Sequence, residues 1–135
     1  LRTLDVRLEK HEKNTKEIIK FLLKEKKIKE ILYPHKKGTK NYKNWKKYYS
    51  GATGLLSLVI KSKSKSSIFK FINSLELFGI GYSWGGFESL AVYQDIQREF
   101  NKYKDKNLHI VRLHIGLEDP KDLIADIKKS LSYIK

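Results

Sequence analysis

Arg112 stands in an alternating run in which His109, Val111, Leu113 and Ile115 interleave with Ile110, Arg112 and His114. A period of two belongs to a β-strand. A guanidinium set between Val111 and Leu113 is costly to leave unpaired, so the pattern calls for an anionic partner. A charge-assisted contact with a carboxylate contributes about 1.5–3 kcal/mol, and the planar fork of arginine fixes the orientation of what it holds. From spacing alone the partner is either a bound molecule or an internal acid, with Glu88 and Glu118 the nearest candidates.

A second group follows an extended stretch from Phe78: Tyr82, Ser83 and Trp84, then Gly85-Gly86. Paired glycines let the backbone turn sharply, and loops at strand ends are where binding groups gather. The group reads either as a pocket wall with one hydroxyl or as a glycine turn flanked by core aromatics. The run Gly79 to Trp84 has glycines two apart, but Trp84 stands where a dinucleotide-binding loop needs its third glycine, so that reading fails. His109 and His114, five apart on one strand, point to opposite faces and form no chelating pair. His11 falls on an apolar stripe and reads as a packed core residue, and His35 as a lone loop histidine. Metal chemistry has no support in these spacings.

The elements that must position these residues follow from periodicity. Leu1, Leu4, Leu8, His11, Thr15, Ile18 and Leu22 recur every three or four residues and predict a long first helix. Ile28 to Leu32, before Tyr33-Pro34, suits a short strand. Tyr42, Trp45, Tyr48 and Tyr49 predict a short helix with aromatics inward and lysines outward; the functional alternative is a base-stacking surface. Leu55 to Ile60 is of strand length, and Ser66 or Ser67 can cap a helix whose buried face is Ile68, Phe69, Ile72 and Leu75. Phe78 to Ser83 is extended, and Val92 to Lys106 reads as a polar helix or loop. Asp119 as cap and Pro120 at the first helical position start a last helix with Leu123, Ile127, Leu131 and Ile134 inward. The sum is an α/β or α+β fold: a small sheet of about four strands covered by helices.

With 135 residues the chain fits one domain that buries about two thirds of its unfolded surface. It has no cysteine, which removes disulfides and thiolate chemistry and makes a reducing cytoplasm the simplest compartment. No apolar run reaches the roughly 20 residues of a membrane span. The net charge of +14 raises the question of a nucleic-acid partner. Of the 29 basic residues, however, 25 are lysine and only Arg2, Arg7, Arg98 and Arg112 are arginine, whereas bidentate phosphate and guanine recognition favours arginine. General lysine enrichment explains the charge better than a nucleic-acid surface. The chain contains no methionine, which fits a piece of a longer protein.

Four segments carry a resemblance: LRTLDVRLEKHEKN from Leu1, SGATGLLSLVIK from Ser50, GYSWGGFESL from Gly81 and VRLHIGLEDP from Val111. Together they resemble the PLP-dependent enzymes of cysteine and methionine metabolism, and among these the bacterial cystathionine beta-lyases. The resemblance runs nearly end to end and implies the C-terminal, smaller domain (residues 1–135), with a mainly antiparallel sheet. It implies that Arg112 grips the substrate's α-carboxylate, that Ser83 offers a hydroxyl partner, and that Tyr82 and Trp84 shape the pocket wall. It further implies pyridoxal 5'-phosphate carried on a lysine of a larger domain, and a tetramer for the whole enzyme. The intact enzyme turns cystathionine into homocysteine, pyruvate and ammonia. Trp84 favours the β-lyase, because the γ-enzymes of the group generally have an aliphatic residue there. None of the 25 lysines lies in a segment resembling the cofactor motif, so the expectation is a substrate-binding domain, inactive alone, that needs a complementary PLP-binding domain. The alternatives are a stand-alone lysine-rich nucleic-acid module and an inactive remnant.

Overall fold

A computed structural model describes residues 2–95 and 105–135. The chain begins with helix α1 (Leu4–Leu22), followed by strand β1 (Ile28–Leu32), helix α2 (Lys40–Tyr48), strand β2 (Leu55–Lys61) and helix α3 (Lys65–Asn73). Strands β3 (Gly79–Ile80), β4 (Leu90–Gln94) and β5 (Leu108–His114) follow, then helix α4 (Pro120–Ser130), which runs into a 3-10 turn at Leu131–Tyr133. The five strands form one sheet in the order β1-β2-β5-β4-β3. Three of its pairings are antiparallel, and only β3 runs parallel to its neighbour β4. The mainly antiparallel α/β sandwich is therefore present, with five strands where the sequence suggests four. The additional strand is β4: Leu90–Gln94 belongs to the sheet, whereas the pattern assigns residues from Val92 to a polar helix or loop. The remainder of that segment, 96–104, lies outside the described residues.

Strand alternation separates the two faces of the sheet. Leu56, Leu58 and Ile60 of β2, Val111 and Leu113 of β5, Ile31 of β1 and Ala91 of β4 share one face. They make a single core with Ile18 and Leu22 of α1, Ile68 and Phe71 of α3, and Leu123 and Ile127 of α4. Ser57, Arg112 and Val92, directly paired across β2, β5 and β4, lie on the opposite face. Core burial thus dictates strand register, and register puts Arg112 on the face opposite that core.

Several local expectations are corrected. Ser64, not Ser66 or Ser67, caps α3, its side chain accepting from the Ser67 N–H. Ser67 instead turns inward, its hydroxyl 3.0 Å from that of Ser62. Phe69 is exposed and tilts over Tyr93, while Phe71 takes the core place, because Ile68, Phe71, Ile72 and Leu75 make the narrower helical stripe. In α2, Tyr42 and Trp45 turn inward, but Tyr48 and Tyr49 are each 68% exposed, since α2 ends at Tyr48 and Tyr49 is already extended. The first helix buries His11, Thr15, Ile18 and Leu22 as the stripe predicts, but Leu4 near its start is exposed. Asp119, Pro120 and the four inward residues of the last helix fall as read from the sequence.

Candidate functional site

Arg112 is half-buried at the middle of the sheet, between Ser57 on β2 and Val92 on β4. Its Nη2 donates to the carbonyl of Tyr82 at 2.7 Å and more weakly to that of Gly81 at 3.4 Å. The guanidinium carbon lies 5.8 Å from the centre of the Tyr82 ring, within cation–π range. No carboxylate among the described residues pairs with it. Of the two acids expected as internal partners, Glu118 is occupied by the N–H and hydroxyl of Ser89, both at 2.8 Å, and Glu88 is exposed elsewhere. Nε and Nη1 of Arg112 have no hydrogen-bond partner among the described residues; each belongs to a different donor edge of the planar fork, Nε–Nη2 or Nη1–Nη2.

Three anchors hold the loop from Gly81 to Ser89 beside Arg112. Arg112 takes the Tyr82 carbonyl. The Gly85 N–H donates to Nε2 of His114 at 3.1 Å, and the Gly85 carbonyl accepts from Nε of Arg7 on α1 at 3.2 Å. Gly85 has φ +82°, a conformation glycine adopts without strain. Farther along, Leu117 N–H donates to the Phe87 carbonyl at 2.9 Å, and the Ser89 hydroxyl accepts from Gly116 N–H. The approach is so close that a Cβ on Gly116 would lie 2.3 Å from the Phe87 oxygen. Of the residues singled out from sequence, Arg112 and Tyr82 are brought into contact. Ser83 and Trp84 sit on the same loop, exposed and without a polar partner among the described residues. The reading of Tyr82 and Trp84 as core aromatics is excluded, since they are 71% and 63% exposed.

Arg7, Ser89, Glu118 and the acceptor role of His114 escape a reading of spacing, for they meet only through the fold. Asn14 is similar: buried on α1, it donates to the carbonyls of Gly116 and Glu118 at 3.0 and 2.8 Å. His11 is buried as expected, its ring edge-on to His114 with centroids 4.9 Å apart. Burial pushes both imidazoles below their ordinary value, and for His11 the nearby His114 adds to the depression. Around His114, the Gly86 carbonyl and Glu118 work against burial, whereas Arg112 adds to it.

A cleft of about 530 Å³ opens beside Arg112, bounded by Ser57 and Leu55, by Tyr33 and His35 after β1, and by Trp45 and Tyr49. His35 is not a lone loop residue. It stacks on Trp45 with centroids 3.9 Å apart, and its Nδ1 lies 3.5 Å from Glu12. Burial depresses His35, and Lys16 adds to this. Burial alone would raise the Glu12 carboxyl, but the Lys16 ammonium at 2.6 Å and the Ala52 N–H hold it below its ordinary value. A half-buried cation with two unengaged guanidinium nitrogens, an adjoining hydroxyl and aromatic rings can hold a small planar anion. No lysine lines the cleft.

The sequence pattern of the family described as "Cys/Met metabolism PLP-dependent enzyme" matches residues 1–132. The chain is 33% identical to "Cystathionine beta-lyase MetC" of Escherichia coli (strain K12), over 99% of its own length and 35% of that protein's. It is 35% identical to "L-alanine/L-glutamate racemase" of Wolbachia pipientis wMel, over 98% of its length and 34% of that protein's. A crystal structure of cystathionine gamma synthase from Xanthomonas oryzae pv. oryzae, in complex with aminoacrylate and cysteine, superposes with a TM-score of 0.85 at 24% identity, covering 98% of this chain and 36% of that one. At that identity the superposition shows a shared fold. The chain spans about a third of the length of the curated relatives it matches.

Proposed function

We propose that this chain, which belongs to the Cys/Met metabolism PLP-dependent enzyme family, is the smaller, C-terminal domain of a cystathionine beta-lyase and grips the substrate's α-carboxylate with Arg112. One observation carries the reading: a guanidinium fixed at mid-sheet, oriented by the Tyr82 carbonyl, with no carboxylate partner among the described residues. The N–H groups of Nε and Nη1 are left to donate to a carboxylate oxygen, each on the edge it shares with Nη2. Because Nη2 is already held, little side-chain freedom is lost on binding. Gripping the carboxylate also fixes the rotation of the substrate about its Cα, and so which Cα bond is presented for reaction. On this reading Ser83 offers the substrate a hydroxyl and Tyr82 and Trp84 shape the pocket wall, although all three stand on the exposed loop outside the lining of the cleft beside Arg112.

The family's cofactor supplies an electron sink for the substrate's Cα. The donor set around Arg112, without a lysine amine, fits a substrate's acid group and does not fit that cofactor. The cofactor therefore belongs to the large domain, in the two thirds of the relatives' length that this chain does not span. On this reading the chain is inactive alone, and the intact enzyme is a cytoplasmic homo-oligomer.

The test replaces the matching third of the Escherichia coli relative with residues 1–135 and measures pyruvate release from cystathionine, with L-alanine racemisation followed in parallel. The expected result is pyruvate formation that falls about 100-fold in kcat/KM in Arg112→Ala, the loss of about 3 kcal/mol expected for a charge-assisted grip. An Arg112→Ala chimera as active as its parent overturns the carboxylate role. A folded chimera that racemises alanine and releases no pyruvate overturns the lyase assignment while leaving the grip standing.

A further inference from the structure

We infer that His114, as a hydrogen-bond acceptor, is the positioning residue that holds the Tyr82–Gly86 loop in front of Arg112. Its importance for substrate rests on the function proposed above; its geometry does not. The Gly85 N–H points at Nε2 of His114 at 3.1 Å, and an N–H needs a lone pair to point at, so Nε2 is unprotonated and Nδ1 carries the imidazole proton. The neighbouring peptide is held from the other side, where the Gly85 carbonyl accepts from Arg7. The two contacts pin the peptide planes on both sides of the Gly85 Cα, the point at which the chain takes φ +82°. With Arg112 on the Tyr82 carbonyl, the backbone bearing Ser83 and Trp84 is tied at each end. His114 and Arg112 are alternate residues of β5, so the strand that presents the carboxylate grip also presents the loop's anchor.

The same nitrogen lies 3.4 Å from the Gly86 carbonyl. A proton on Nε2 would therefore repel the Gly85 N–H and favour Gly86, shifting the loop from one backbone partner to the next. The groups facing His114 are His11 from α1, Glu118 from the connection after β5, and Arg112 on its own strand, while Arg7 of α1 acts on His11 and holds the Gly85 carbonyl. Burial and the arginine oppose the proton, so the neutral, loop-holding form prevails at pH 7 and is lost in acid.

The experiment uses the 135-residue chain with labelled histidine and backbone nitrogens, alongside the chimera. At pH 7.5 the expected long-range nitrogen spectrum shows His114 protonated on Nδ1 alone. The protection of the Gly85 amide against exchange should fall about tenfold in His114→Leu, the loss of one hydrogen bond, and remain near wild type in His114→Gln, whose amide oxygen can accept. In the chimera, His114→Leu should raise KM for cystathionine more than it lowers kcat, with His114→Gln restoring it. Protonation on Nε2 at pH 7.5, unchanged Gly85 protection in a folded His114→Leu chain, or a loosened loop with unchanged KM each overturn the inference. If His114→Leu does not fold, the wild-type tautomer and its loss together with Gly85 protection on acidification decide. An inactive chimera whose Gly85 protection responds as expected overturns the lyase reading and leaves the loop anchor standing.

Discussion

Asp126 offers a direct measure of how the helical layer sets the position of the turn that leads into β3 and the loop from Gly81 to Ser89. It lies on α4, only 7% exposed, and its carboxylate receives the Glu76 N–H on both oxygens at 3.0 Å and the Leu77 N–H at 2.8 Å. These are the N–H groups of the turn that leaves α3, just before Phe78 enters the core and β3 begins. Hydrogen bonds to a charged acceptor contribute about 1.5–3 kcal/mol each. Glu76 and Leu77 are themselves exposed, so water can replace part of each bond and the lower end applies. Asp126→Ala should then cost about 3 kcal/mol, and Asp126→Asn about half as much, because its amide oxygen still accepts while its NH2 cannot. In a domain of this length that corresponds to a fall in Tm of roughly 12 °C for the alanine variant. Urea unfolding followed by circular dichroism gives the free energies, and an unchanged m-value shows that the two states compared are the same. An alanine variant within 1 kcal/mol of wild type would refute the idea that this carboxylate fixes the turn.

Gly116→Ala places a Cβ 2.3 Å from the Phe87 oxygen and 2.6 Å from the Glu88 carbonyl carbon; both are backbone atoms, so the loop must move. A destabilisation of about 3 kcal/mol or more is expected, with weakened protection of the Leu117 and Ser89 amides by hydrogen exchange. Stability should also fall in acid. His11, His35 and His114 are all depressed, chiefly by burial, below the value of 6.5 that they take in the unfolded chain. The unfolded chain therefore takes up protons first as pH drops. Their contribution is complete above about pH 6.5 and is lost as pH falls from there through the depressed folded values. Glu12, depressed below 4.5, adds its loss only under more acidic conditions. Urea midpoints at pH 7.5, 6 and 5 should decline in that order, and a flat profile would contradict the burial of the imidazoles.

Local periodicity was enough to place α1, β1, α2, β2, α3, β5 and α4, because each carries an apolar stripe with its own period and a recognisable start, as with Asp119-Pro120. It was also enough to mark Arg112, since a guanidinium amid apolar strand residues is conspicuous in one dimension. It did not find β4: Ala91 and Val92 are followed by Tyr93, Gln94 and a charged run, and these few residues become a strand only through pairing with β5. It also gave the cap of α3 to Ser66 or Ser67, whereas the contact of Ser67 with Ser62, itself bonded to the carbonyl of Lys135, turns Ser67 inward and leaves the cap to Ser64.

The types of the residues at the site, and the alternation that puts Arg112 and Val111 on opposite sides, are properties of the chain as written, for they depend only on neighbours in order. Which acid Arg112 meets is not. Glu118 is taken by Ser89, and the arginine is turned instead to the Tyr82 carbonyl, by contacts between residues some thirty positions apart. The pinning of Gly85 between Arg7 and His114 likewise joins the chain's start, middle and end. Such long-range partners carry no local signature, because any polar side chain of the right reach would read the same until packing of the core sets the distances.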